Sequence, residues 1–80
     1  MNKSDIISVI QSVVQDIFDN TAIVLTEDTK TCDIEGFDSL ISTLLIVGIE
    51  NKFRTKFTSK EMLLWGNFGE LADIVMRKLK

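Results

Sequence analysis

A serine at the start of an apolar helix is the first residue in this sequence that could support chemistry. Ser39 follows Asp38, where a long polar stretch gives way to a strongly apolar one. Because aspartate is a good N-cap, we expect Ser39 to be the first helical residue, at the positive end of the helix dipole. Backbone N–H groups and the dipole both favour negative charge there. The pattern therefore indicates a serine that can carry a phosphate group, although Ser39 could simply begin the helix.

Other residues offer little support for catalysis or metal binding. The sequence has no histidine and one cysteine, Cys32, which excludes the usual zinc sites and an intrachain disulfide. The acids before Ser39 do not form an EF-hand loop, because placing Gly36 sixth puts Thr31 first and Ser42 twelfth. Without a histidine base, a second nucleophile or a glycine-rich phosphate-binding loop, we expect no enzyme. Cys32 is interpreted as an ordinary loop residue.

Composition narrows the class of protein further. The 80 residues, 45% of them apolar, are expected to form a single domain over 1–80 with a compact core. A net charge of −3 speaks against a nucleic-acid binder. No apolar run is long enough to span a membrane, and no signal peptide is visible, so we expect no membrane insertion and a cytoplasmic location.

The first helix is predicted to run from Ser4, as its N-cap, to about Asp19, because apolar residues recur there at helical spacing. Residues 20–37 lack periodicity, and a loop of that length in a small domain is commonly functional. Three apolar loop residues have no second strand to pair with, so we expect them to pack onto the core: Ile23, Val24 and Leu25.

The second helix, from Ser39 to about Phe53, is apolar on two faces. One face is expected to be buried: Ser42, Leu45, Ile46, Ile49 and Phe53. The other carries Leu40, Ile41, Leu44 and Val47. A helix that is apolar nearly all round is normally central to its fold, and in a domain this small we expect one face to remain accessible.

Two capping signals predict the remaining helices. Thr58 and Glu61 fit a capping box that begins a short helix through about Leu64. Asn67 begins a last helix that ends at Leu79. Its expected buried stripe is Phe68, Leu71, Ala72, Val75 and Leu79, and its last turn holds the cations Arg77, Lys78 and Lys80. Three further side chains are interpreted as packing residues: Met62, Trp65 and Met76.

The whole layout, with several short motifs, resembles the acyl carrier protein family. The central motif is Ile34-Glu35-Gly36-Phe37-Asp38-Ser39-Leu40. The other matching segments are Thr26-Glu27-Asp28-Thr29, Glu50-Asn51-Lys52-Phe53, Lys56-Phe57-Thr58 and Asn67-Phe68-Gly69-Glu70-Leu71-Ala72-Asp73-Ile74. An isolated Asp-Ser-Leu occurs by chance as a helix cap, but its placement among the other segments is a stronger signal. The resemblance implies an all-α fold, a four-helix bundle with three long helices, a short helix III and a long loop between helices I and II.

By that resemblance, a phosphopantetheinyl transferase would esterify Ser39 with 4′-phosphopantetheine. The thiol of this arm would carry an acyl or aminoacyl group as a thioester. The other implied partners of a monomeric carrier are an acyl-loading ligase and acyl-transfer or condensing enzymes, as in fatty acid or polyketide biosynthesis. Residues expected to contact partners are Asp38, Leu40, Ile41, Leu44, Val47 and Glu50.

The second helix departs from the family pattern. Carriers of fatty acid synthesis usually present several acids along it to basic patches on their partners. Here those positions hold Ile41, Leu44, Asn51 and Lys52, which leaves only Glu50. The acids lie upstream instead, at Asp33, Glu35 and Asp38. This favours a specialised carrier, and Gly36-Phe37 likewise resembles carriers of polysaccharide or secondary-metabolite pathways.

Two alternatives stay open. Ile41 and Leu44 could pack against the third helix, which would make the second helix less apolar on its outside. The chain could also be an unmodified helical interaction domain, in which Leu40, Ile41, Leu44 and Val47 dock a partner helix and Ser39 has no role.

Overall fold

Four α-helices account for most of residues 1–79. The computed structural model describes residues 1–79, with α1 at Lys3–Phe18, α2 at Ser39–Phe53, α3 at Ser59–Leu63 and α4 at Phe68–Lys78. A short 3₁₀ turn, Thr31–Asp33, interrupts the loop between α1 and α2. Residues 1–79 contain no β-strand. The prediction of an all-α fold with three long helices, a short third helix and a long first loop is confirmed, whereas the predicted cation Lys80 lies outside the described residues.

Helix α1 begins at a different cap from the one the sequence suggested. Asn2 Oδ1 accepts a hydrogen bond from the Asp5 N–H at 2.9 Å, and Asp5 Oδ2 accepts one from the Asn2 N–H at 3.2 Å. This reciprocal pair is a capping box. The prediction of Ser4 as N-cap was therefore wrong. Ile7 stands three residues after Ser4 and cannot reach back to a backbone donor, so the Asn2–Asp5 pair caps the helix instead.

The core forms where α1 packs against both α2 and α4. Its fully buried side chains of largest volume come from all three helices: Phe68, Ile6, Ile10, Leu45, Ile46, Ile49, Leu71, Val14 and Val75. The backbones of α1 and α2 approach closely at Gly48, where a β-carbon would lie 2.6 Å from Val13 Cγ1. The predicted inner face of α2 is confirmed in its central residues Leu45, Ile46 and Ile49.

The loop from α1 to α2 is held by polar side chains of α1. The Leu25 N–H donates to Gln11 Oε1 at 2.9 Å, and Gln15 Nε2 donates to the Ile23 carbonyl at 2.8 Å. Leu25 is buried and Ile23 packs against the core, as predicted. Val24 was predicted wrongly, since it is 70% exposed. With its two neighbours directed inward, the intervening side chain of this extended segment is directed outward.

The predicted N-caps of α3 and α4 are confirmed, but the burial of three side chains in this part of the chain differs from the prediction. Thr58 and Glu61 form the expected capping box of α3, and Asn67 caps α4. Leu79 is exposed because it follows the last helical residue, and Ile74 is buried within α4. Met62 is exposed rather than core filler, because it lies on a helix of only 5 residues.

Candidate functional site

Ser39 is the first residue of α2, and its side chain is exposed. Asp38 Oδ1 accepts a hydrogen bond from the Ile41 N–H at 2.9 Å, so Asp38 is the N-cap that the sequence predicts. The first turn of any helix leaves backbone N–H groups without intrahelical partners, and these attract anions. The geometry therefore presents a serine hydroxyl to solvent at a place that favours a phosphate.

The two residues before Asp38 fix the direction in which the loop enters α2. Gly36 has a φ of +84°, a left-handed conformation that residues with a side chain rarely adopt. Phe37 follows with its ring among the core aromatics, 6.3 Å between centroids from both Phe18 and Phe68. A turn at Gly36 and an anchor at Phe37 thus hold Asp38 and Ser39 at the surface.

A cleft of about 360 Å³ opens beside Ser39. It lies between the 3₁₀ turn, the start of α2 and the end of α3. Its lining residues are Thr31, Phe37, Asp38, Ser39, Ser42, Met62, Leu63 and Trp65. The mixture of hydroxyl groups near Ser39 and apolar side chains towards α3 can accommodate a chain with both polar and apolar parts.

The indole of Trp65 contributes an unusual group to this cleft. Its Nε1 is buried and has no hydrogen-bond acceptor among residues 1–79. A buried donor without a partner costs about 1–3 kcal/mol, so such a group in a native fold calls for an explanation. The ring packs against the fully buried Phe68 with 5.5 Å between centroids, which confirms Trp65 as a packing residue.

The outside of α2 carries three exposed apolar residues that we call the outer face of α2: Leu40, Leu44 and Val47. Leu40 is 65% exposed and the other two are 47% exposed. Ile41 is half-buried. Leu44 is therefore not covered by the third helix, and that alternative is wrong for Leu44, whereas it stays open for the half-buried Ile41. Leu63 and Leu64 add further exposed apolar surface on α3.

The acidic residues on α2 and in the first loop differ in whether they form hydrogen bonds within the chain. Glu50 Oε2 accepts a hydrogen bond from the Phe57 N–H at 2.7 Å, so this half-buried carboxylate holds the connection to α3. Asp33 Oδ2 accepts one from the Lys30 N–H at 2.9 Å. Glu35 and Cys32 are exposed. The structure thus brings Asp38 next to Ser39 and engages Glu50 and Asp33 within the chain.

A salt bridge connects the ends of α3 and α4. Lys78 Nζ lies 2.6 Å from Glu61 Oε1 and 5.1 Å from the centroid of the Phe57 ring. The hydrogen bond from Lys78, followed by the one from the Thr58 backbone, lowers the pKa of the Glu61 carboxyl. This pair holds α3, and with it one wall of the cleft, against the end of α4.

The cleft residues Trp65, Met62 and Leu63 could not be recognised as part of the site from the sequence. These residues are more than twenty positions from Ser39 in the chain, and no motif links them to it. They share the cleft with Ser39 because the end of α3 lies beside the start of α2. Within residues 1–79 no group of three or more His, Cys, Asp or Glu side chains could hold a metal ion. No helix in that range has the length and apolar character needed to cross a membrane.

Comparison with known proteins identifies one informative relative among solved structures. The chain is similar to the solution NMR structure of a holo acyl carrier protein from Geobacter metallireducens, with a TM-score of 0.84 and 37% sequence identity. The match covers 91% of this chain and 84% of that one. No family model and no curated protein sequence matches the chain.

Proposed function

This chain belongs to the acyl carrier protein family, whose members are carriers and not enzymes, and we propose on that premise that Ser39 bears a covalent 4′-phosphopantetheine arm. When attached, the arm supplies a terminal thiol that holds an acyl or aminoacyl group as a thioester. The observation that carries the proposal is the exposed Ser39 at the capped start of α2, beside a cleft.

The residues around Ser39 fit such an arm. A serine hydroxyl forms a stable phosphodiester, and the N-terminal turn of α2 favours the phosphate charge. The cleft offers hydroxyl groups from Thr31 and Ser42 near the attachment point, and apolar side chains farther along. The buried N–H of Trp65 adds a hydrogen-bond donor for which residues 1–79 provide no acceptor.

We further propose a specialised carrier rather than one of bulk fatty acid synthesis. The support is the outer face of α2, which is apolar and exposed where carriers of fatty acid synthesis present acids. The one acid within α2, Glu50, accepts a hydrogen bond from the Phe57 N–H. The partners of this carrier are a phosphopantetheinyl transferase, an acyl-loading ligase and acyl-transfer or condensing enzymes. Its single-domain organisation over 1–80, monomeric state and cytoplasmic location stay predictions from the sequence.

Intact-mass measurement tests the attachment site. The chain is incubated with a phosphopantetheinyl transferase and coenzyme A, and we expect one phosphopantetheine per molecule. Ser39→Ala should keep its helical circular dichroism and gain no mass. Ser42→Ala is the matched control, because it removes another serine hydroxyl of the same cleft and should leave the mass gain unchanged. Labelling that survives Ser39→Ala would refute the assignment.

An unmodified interaction domain is the second candidate function, favoured by the exposure of Leu40, Leu44 and Val47. The same measurement separates the two. A folded wild-type chain that gains no mass with an active transferase, shown by a control carrier labelled alongside it, would favour the interaction domain.

A further inference from the structure

The Trp65 side chain, which lines the cleft beside Ser39, has a buried hydrogen-bond donor with no acceptor among residues 1–79. Trp65 Nε1 is buried away from solvent, so water does not replace the missing protein partner. The ring rests on Phe68, which is fully buried and itself packs against Phe37. Trp65 lies in the connection between α3 and α4, and its indole is held there by packing against the buried Phe68 ring.

Ser39 and Trp65 line the same cleft. A chain that is covalently attached to Ser39 and enters this cleft can therefore reach the Trp65 side chain. Met62 and Leu63 of α3 line the same cleft, and both are exposed. Because Nε1 itself is buried, an entering chain reaches it only if neighbouring side chains move. Helix α3 has only 5 residues, and neither Met62 nor Leu63 belongs to the buried core.

The chemistry of the attached chain supplies the missing acceptor. A phosphopantetheine arm contains amide carbonyl oxygens, and a loaded arm adds the carbonyl oxygen of the thioester. Each is a good acceptor for an indole N–H, which can only donate. Apolar stretches of the same chain would contact Phe37, Met62 and Leu63.

We propose that the Trp65 indole N–H donates a hydrogen bond to a carbonyl oxygen of the chain attached to Ser39 and thereby positions that chain in the cleft. The inference rests on the proposed modification of Ser39. It assigns Trp65 a positioning role that depends on its N–H and not only on its apolar ring.

Trp65 is the single tryptophan of the chain, so the protein labelled with nitrogen-15 gives one indole N–H resonance. The resonance is recorded for the full chain in its apo, holo and acyl forms. We expect it to move downfield, with slower hydrogen exchange, when the bond forms. A shift on conversion from apo to holo identifies an amide of the arm as the acceptor, and a shift only on acylation identifies the thioester.

Intact mass of the same samples distinguishes failure of this inference from failure of the proposed function. A mass gain on Ser39 with an indole resonance that stays unmoved in all three forms overturns the role of Trp65 and leaves the carrier assignment in place. Absence of any mass gain overturns the carrier assignment and the inference with it. Nuclear Overhauser contacts between the indole N–H proton and protons of the arm would support the bond directly.

Trp65→Phe tests the same bond by thermal unfolding. Phenylalanine keeps an aromatic ring against Phe68 but has no N–H to donate. We expect the increase in melting temperature from apo to holo or acyl protein to shrink in Trp65→Phe. Leu63→Ala is the control, because it alters the cleft wall and retains the donor, so its indole shift should persist. An increase in Trp65→Phe as large as in the wild type would contradict the proposal.

Discussion

The N–H of Gly69 donates to the carbonyl oxygen of Glu27 at 2.9 Å, and a β-carbon at position 69 would lie 2.7 Å from that same oxygen. The preceding N–H, of Phe68, donates to the Thr29 carbonyl, also at 2.9 Å. Both donors belong to the first turn of α4, which has no intrahelical acceptors for them. These two hydrogen bonds therefore hold the loop that leads to Ser39 against α4. The close approach at Glu27 requires glycine at position 69, because any β-carbon there would clash.

Gly69→Ala should therefore destabilise the fold, although alanine is the better helix former. The added β-carbon meets backbone atoms of Glu27 that cannot move without shifting the loop. We expect a loss of about 1–3 kcal/mol in the free energy of unfolding, typical of overpacking, measured by equilibrium urea denaturation. Gly66→Ala is the control, since its β-carbon would meet only the flexible end of Glu70. Equal stability of the two variants would show that the loop adapts.

Local signals in the sequence predicted the helices and most of their caps. Asp38, Thr58 and Asn67 cap the helices that follow them, as expected, because a cap depends on residues within three or four positions. The prediction of Ser4 as the N-cap of α1 was wrong because two possible caps overlap at the start of this helix. The reciprocal Asn2–Asp5 pair satisfies more backbone donors. Competition of this kind is hard to judge from spacing alone.

Contacts between distant segments could not be predicted in the same way. The loop bonds to α4 and the cleft shared by Ser39 and Trp65 depend on how helices cross. No residue pattern in the sequence reports that geometry. Leu79 and Met62 were wrongly predicted to be buried. Helical spacing does not show where a helix ends or how short it is.

A second close contact, between Gly48 and Val13, predicts a compensating pair of substitutions. Gly48→Ala places a β-carbon 2.6 Å from Val13 Cγ1, inside the interface of α1 and α2. We expect the single variant to lose about 1–3 kcal/mol of unfolding free energy. Val13→Ala removes the opposing methyl groups, so the double variant should be more stable than the sum of the single effects predicts. Urea denaturation of all four proteins measures the coupling, and strict additivity would contradict the contact.

Asp38 should matter more for modification than for folding. Loss of its cap on the Ile41 N–H costs about 1 kcal/mol, which is small beside the roughly 5–15 kcal/mol stability of a typical domain. By the family resemblance, we also expect Asp38 to contact the transferase. Asp38→Ala should therefore stay helical by circular dichroism yet gain phosphopantetheine slowly in a timed mass assay. Asp38→Asn, which keeps a capping oxygen, separates the loss of the cap from the loss of charge. Wild-type modification rates in both variants would refute a role in recognition.

The Glu61–Lys78 pair should make stability depend on acid pH. The Lys78 hydrogen bond lowers the pKa of the folded Glu61 carboxyl, so its stabilisation is complete above the unfolded pKa and is lost as the pH falls through the folded one. Glu61→Gln retains a side chain that can complete the capping box. We expect its unfolding free energy to fall below that of the wild type at neutral pH, and the difference to disappear under acid conditions.

Lys78→Gln provides the matched background for that measurement. In this background the effect of Glu61→Gln on the unfolding free energy should depend less on pH, because the hydrogen bond from Lys78, the largest cause of the lowered Glu61 pKa, is absent. High salt should also reduce the difference at neutral pH, since both groups are partly exposed. A difference between wild type and Glu61→Gln that stays constant from neutral to acid pH would exclude the ionic contribution.

The outer face of α2 should govern docking of the loading enzyme by apolar contact more than by charge. Leu40, Leu44 and Val47 are exposed together, and contiguous apolar surface of this kind marks interaction sites. Salt screens charge-led docking but not apolar docking. Acyl loading by the cognate enzyme, followed by intact mass, should therefore depend only weakly on ionic strength. Leu44→Glu should slow it while leaving the circular dichroism unchanged.

Val24→Glu is the matched control for Leu44→Glu. Val24 is 70% exposed and lines a separate groove in the first loop, so the same added charge there should leave loading unaffected. If salt instead abolishes loading and Leu44→Glu is loaded normally, docking depends on charge. The surface involved would then be the acids before α2, and charge reversal at the exposed Glu35 should impair loading where Leu44→Glu does not.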